Sequence, residues 1–111
     1  MLGAEAPECL IVSPAHRASI KADAIEVWGW AWGAHAIDRV EVSCDGGRTW
    51  TVADLEPRRQ WAWQRFAYRW MPRQPGRTRV LARATDVMGR TQPENRGRNA
   101  LHHVDVHVLS P

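Results

Sequence analysis

The chain has 111 residues, 44% hydrophobic and 24% charged, with a net charge of +3 at neutral pH. That is one domain's length, enough for a buried core but short for an enzyme with a separate cofactor domain. No apolar run reaches the roughly 20 residues of a membrane helix, and the opening MLGAEAPECLIVSPA lacks the basic start and long apolar stretch of a signal peptide.

In chain order, almost every segment reads as strand. Residues 1–8 read as a tail or linker ahead of a single domain over 9–111. ECLIVS is a short apolar run ended by Pro14. AIEVWGWAWG places Trp28, Trp30 and Trp32 on one strand face and Ile25, Val27, Gly29 and Ala31 on the other. Both faces are apolar, so periodicity alone does not choose the inner one.

AIDRVEVSCDGGRTWTVADL carries the strongest local signal. Val40, Val42 and Cys44 alternate with Arg39, Glu41 and Ser43, the pattern of a half-buried antiparallel strand. Asp45, Gly46 and Gly47 then supply a turn, and RTWTVA, with Trp50, returns as the partner strand. In QWAWQRFAYRW, Trp61 and Trp63 share one parity and Phe66, Tyr68 and Trp70 the other, which predicts a bulge or bend near Gln64.

MPRQPG is a turn. In TRVLARATDVMG, Val80, Ala82 and Ala84 alternate with Arg79, Leu81, Arg83 and Thr85. Asp86 and Gly89 mark the next turn, RTQPENRGR is a polar loop, and NALHHVDVHVL closes with Val104, Val106 and Val108 on one face. About seven short strands at this spacing predict an all-β, immunoglobulin-like antiparallel β-sandwich. An eight-stranded barrel needs more regular lengths. The Cys…Trp…Cys framework of antibody domains is missing, so that likeness is architectural.

Little of the sequence points to chemistry. No nucleophile has a base close in sequence, and there is no G-x-S-x-G elbow or phosphate-binding glycine loop. Asp45 and Asp86 sit beside glycines, where an aspartate caps a turn. Cys9 and Cys44 are too few for a disulfide scaffold and read as buried free thiols. His103, Asp105 and His107 share a strand face that suits either a metal or an ordinary sheet surface; zinc sites use tighter Cys/His spacing, and no metal ligand is assigned. All but one of the 15 basic residues are arginine, Lys21 being the exception. With no basic run and no RNA-binding signature, they read as stems lying over apolar surface and not as a nucleic-acid footprint.

The order of the motifs is more specific. GWAWG, IDRVEVSCDGGRTWTVADL, WAWQRF, RATDVMGRTQP and RGRNALHHVDVHV together resemble the C-terminal dimerisation domain of the sulfite oxidase family of molybdenum enzymes, over residues 9–109. The resemblance implies an immunoglobulin-like sandwich beside a larger molybdopterin-binding domain. That domain supplies the cysteine ligand to molybdenum, so no cofactor is expected on this chain. It further implies a non-catalytic assembly role, with a homodimer or the adjoining domain as partner and no nucleic acid or membrane. Arg96, followed by Gly97, matches a family arginine that faces the anionic substrate pocket of the neighbouring domain. The loop here is shorter and lacks the family's preceding tryptophan, which leaves Arg96 and Arg98 both placed for that role. The family also has aromatics where Trp30 and Trp32 stand, so these two are expected to be buried in their own domain. Trp28 is the extra one and the interface candidate. The alternative from another class is a free-standing sandwich that binds carbohydrate or a protein partner through its tryptophans; an independent small enzyme has no constellation to support it.

Overall fold

A computed structural model describes residues 6–59, 63–92 and 102–110. The alternating segments become β1 (Glu8–Ser13), β2 (Ser19–Ile20), β3 (Ile25–Trp32), β4 (Ile37–Ser43), β5 (Thr51–Val52), β6 (Asp54–Leu55), β7 (Gln64–Trp70), β8 (Gly76–Asp86) and β9 (His102–Val108). They assemble into a four-stranded sheet in the order β1-β3-β7-β6 and a five-stranded sheet in the order β2-β9-β8-β4-β5. All pairings are antiparallel except β2 with β9. This is the sandwich that the strand pattern predicts. Pro7 is fully buried, and Glu8, read from the sequence as part of the tail, pairs with Trp32 as the first residue of β1.

Size decides which way each strand faces. The five-stranded sheet turns Val40 and Val42, Val80, Ala82 and Ala84, and Val104, Val106 and Val108 inward. The four-stranded sheet answers with Cys9, Ile11, Val27, Ala31, Phe66 and Trp70. Each such side chain removed from water contributes about 1.5–3 kcal/mol, and this shared interior is the main favourable term.

On β3 it is the small residues that face in. Gly29 lies between Ile11 of β1 and Phe66 of β7. A Cβ there would sit 1.8 Å from the backbone oxygen of Leu10. The approach is this close where β1 bulges, its register shifting between Ile11 and Ser13. The expectation that Trp30 and Trp32 are buried in the domain's own core is therefore corrected. With Val27, Gly29 and Ala31 inside, alternation sends all three indoles to the outer face, where each is half-buried.

The expected bulge near Gln64 is also corrected. β7 pairs with β3 without a shift from Ile25↔Trp70 to Ala31↔Gln64. Gln64, Phe66 and Trp70 face in, so Trp63 simply continues the outward parity. The turns follow the sequence reading: Gly46 and Gly47 take φ of 75° and 98°, which lets β5 return along Glu41 and Val42.

Three polar side chains cross between the sheets. Gln64 of β7 accepts from the Ile37 amide at 2.8 Å and donates to the Glu56 carbonyl at 2.9 Å. Gln92 Oε1 receives the Cys9 thiol at 3.4 Å and the Ala84 amide at 3.3 Å. His102 Nδ1 accepts from the Ile11 amide at 2.9 Å, tying β9 to β1. Among the described residues no buried side-chain polar atom is left without a partner, as a closed interior requires.

Gly29→Ala is expected to destabilise the domain by at least about 1–3 kcal/mol, because the added methyl meets backbone that cannot rotate away; a urea midpoint equal to the parent's would contradict that packing. His102 gives a pH dependence. Burial, then the charges of His103 and His16, hold its imidazole below the ordinary value of 6.5. Between those two values the unfolded chain binds the extra proton, so stability is complete above about pH 6.5 and declines as pH falls below it. His102→Gln, which keeps an acceptor for Ile11, is expected to flatten that decline in thermal melts between pH 5 and 7.

Candidate functional site

Two neighbouring strands build the outer face of the four-stranded sheet. Trp28, Trp30 and Trp32 project from β3, and Trp63 precedes β7 on the same side. Trp28 and Trp30 meet edge to face with ring centroids 6.2 Å apart, and Trp30 meets Trp63 at 6.2 Å and 60°. Trp32 and Trp63 stack at 4.7 Å and 14°. Edge-to-face and offset pairs of this kind add about 0.5–1.5 kcal/mol each beyond area burial. The four indoles form one continuous aromatic ridge.

Its lower end is charged. Arg65, opposite Trp30 on β7, lays its guanidinium 4.4 Å from the Trp28 ring centroid and donates to Glu26 at 2.9 Å. Glu26 in turn faces Arg69 across the ladder. On the other flank Leu10 stands opposite Trp30, and Val12 follows as an exposed aliphatic, 41% accessible. Trp63 is 49% accessible. An aromatic ridge flanked by aliphatics has the composition of the core of a protein contact, and the charged pair at its end that of the polar rim.

The turn residues do other work. Asp45 Oδ1 accepts from the amides of Arg48 at 3.0 Å and Thr49 at 2.9 Å, and from Ser43 Oγ at 2.8 Å. Its Oδ2 accepts from Thr49 Oγ1 at 2.5 Å. The Thr49 hydroxyl and amide lead in holding its carboxyl down to about 2. Trp50 carries the Arg83 guanidinium 4.0 Å from its ring centroid, while Arg83 also bridges to Glu41 at 3.1 Å. Asp86 is fully buried. Burial alone would raise its carboxyl, but hydrogen bonds from the Arg90 amide and guanidinium and from the Met88 amide hold it below the usual carboxylate range. Gly89, at φ 84°, closes that turn by donating its amide hydrogen to the Asp86 carbonyl in a hydrogen bond.

On the strand face shared by His103, Asp105 and His107, Asp105 is occupied by Arg79 at 2.8 Å, and its amide donates to His16 Nδ1. Among the described residues no group of three His, Cys, Asp or Glu is placed to hold a metal ion. Cys9 and Cys44 are free thiols. Burial first, and then the neighbouring charge of Glu8 or Asp45, pushes each up to about 12. Arg96 and Trp61 lie outside the described residues. Sequence reasoning missed Trp63 and Arg65 as parts of the tryptophan face. Their parity carries the signal, once the strand is read through Gln64 without a bulge.

Residues 6–107 match the family model of the Mo-co oxidoreductase dimerisation domain. Mitochondrial sulfite oxidase of Mus musculus is 33% identical over 89% of the chain, and that of Homo sapiens 32% over 88%. The chain spans about a fifth of the length of these relatives, 21% in each case. Among solved structures, the sulfane dehydrogenase SoxCD from Paracoccus pantotrophus superposes with a TM-score of 0.75 at 26% identity, over 89% of this chain and 29% of that one. Fibronectin(III)-like modules of Clostridium thermocellum CbhA give 0.64 at 16% identity over 90% of this chain and 93% of theirs, a likeness of fold alone.

Cys9 is buried in the core and Cys44 is half-buried beside it, and burial favours the neutral thiol at both positions. Both cysteines are expected to resist iodoacetamide in native buffer and to label fully in denaturant. Rapid native labelling of either one, read by mass spectrometry, would contradict the burial described.

Proposed function

The chain belongs to the Mo-co oxidoreductase dimerisation domain family of sulfite-oxidase-like proteins, and from that premise we propose that it is a non-catalytic assembly domain whose tryptophan face docks a second copy of itself. In this reading the same domain packs beside the molybdopterin-binding domain of its oxidoreductase. The parent reaction is oxidation of a sulfur oxyanion or a related two-electron conversion.

The observation that carries the reading is the ridge of Trp28, Trp30, Trp32 and Trp63. It lies on the side of the sheet away from the core, so the domain's own fold does not explain its size. The patch is also suited to pairing with itself. A two-fold interface brings the same surface against itself, which demands both signs of charge and a flat apolar centre. Glu26, Arg65 and Arg69 beside the indoles supply that combination.

The described residues do not fit a resident molybdenum. The Cys9 thiol is buried and donates a hydrogen bond to Gln92, and no group of three His, Cys, Asp or Glu among the described residues is placed to hold a metal ion. This supports placing the cofactor, and the chemistry, in the adjoining domain. The carbohydrate reading is not favoured. The indoles pack edge to face and on one another, and so do not offer a row of coplanar faces for sugar rings.

Sedimentation velocity of the chain across a concentration series is expected to show a monomer–dimer equilibrium. Trp28→Ala should shift it at least tenfold toward monomer. The same variant loses one aromatic pair and one cation–π contact, about 1–2 kcal/mol of folding stability, so it remains folded for the comparison. A chain that stays monomeric at millimolar concentration, or a Trp28→Ala dimer as tight as the parent, would remove this face from the assembly.

A further inference from the structure

Away from the tryptophan face, the β4–β5 hairpin loop and the turn joining β7 to β8 enclose a cleft of about 770 Å³. Four arginines line it, Arg48, Arg73, Arg77 and Arg79, with Asp45 as the one carboxylate among the described lining residues. The carboxylate of this lining and one of its four arginines are already engaged. Asp45 is closed over the hairpin by the amides and hydroxyls of its own loop. Arg79 is held by Asp105 through two bonds, at 2.8 and 3.2 Å.

Arg48, Arg73 and Arg77 therefore line one concavity without a carboxylate partner among the described residues. Like charges gathered in a hollow repel, and the arrangement is relieved by an anion that two or three of them share. Guanidinium groups present forked donors matched to tetrahedral oxyanions. Thr49, Thr51 and Tyr68 add hydroxyls to the same lining. The basic surface does not end there. A second cleft, sharing Arg77, Thr78 and Arg79, continues past them to His16, Arg17 and His107, its one carboxylate being Asp105, which Arg79 engages.

We propose that the hairpin cleft binds a small oxyanion of the phosphate or sulfate class, gripped by Arg48, Arg73 and Arg77. The volume is within the range of small-ligand sites and leaves room for an organic body behind the anionic head. The shared chemistry is the tetrahedral oxyanion; the free ion and its monoester are its two sources. This site is independent of the tryptophan face and of dimer formation.

The test is isothermal titration of the full chain with inorganic phosphate and, separately, glycerol phosphate, each at constant ionic strength set with chloride. Saturable one-site binding is expected, weakened at least tenfold in Arg73→Gln/Arg77→Gln and several-fold in Arg48→Gln, a substitution on an exposed loop that leaves the hairpin's Asp45 bonds intact. Arg58→Gln/Arg59→Gln, outside the cleft, is expected to bind as the parent does. Tighter binding of the monoester identifies an organic phosphate as the ligand, and equal binding identifies the free ion. Absence of saturation, or an equal loss in the Arg58/Arg59 variant, would overturn the proposal by reducing the effect to net charge.

Discussion

The passage of the Leu10 backbone over Gly29 is the constraint from which the rest of this structure follows. β3 is the inner strand between β1 and β7, and its two faces are both apolar. One face holds side chains small enough for β1 to close over them; the other holds three indoles. Because a single Cβ at position 29 would collide with backbone, only the small face is able to turn inward. The valines of the opposing sheet then fill the interior together with Phe66 and Trp70, and the indoles of β3 are left on the outer face. Four of the chain's seven tryptophans stand on the outer face of a sheet, where among the described residues the domain's own core does not cover them.

Polar chemistry supports the same division. Inside, Gln64, Gln92 and His102 tie sheet to sheet and leave nothing for a ligand to satisfy. The two cysteines are free thiols, Cys9 buried and Cys44 half-buried against the core. The carboxylates of Asp45 and Asp86 are spent on their own turns, each drawing several donors from residues two to four positions along the chain. These are the features of a scaffold. The groups left free to meet partners are outside: the indole ridge with its Arg65–Glu26 end, and the arginines around the hairpin cleft. Two surfaces of different chemistry let one small domain serve a protein contact and an anion without either competing for the core.

Much of the architecture is legible in the sequence because alternation is local. Val40 and Val42, the Val80–Ala84 series and the three valines of β9 each declare their inner face within a few residues. The Asp45–Gly46–Gly47 turn announces the hairpin. Legibility fails where the deciding contact is distant. Nothing local on β3 says that Leu10 will lie across Gly29, so the direction of Trp30 and Trp32 is not readable from period two. The aromatic run before β7 misleads for a related reason. Trp63 and Phe66 belong to opposite faces of one unbroken strand direction, and the change of residue type imitates a change of register. The buried glutamines are invisible too, since Gln64 meets Ile37 across 27 residues and Gln92 meets Cys9 across 83.

Residue-resolved hydroxyl-radical footprinting of the chain, compared between dilute and associating concentrations, tests the central claim most directly. On this account Trp28, Trp30 and Trp63 lose reactivity as the chain associates, while Met71 and Met88, exposed on turns away from the ridge, keep theirs. Association with the indoles still fully reactive and protection elsewhere would contradict it.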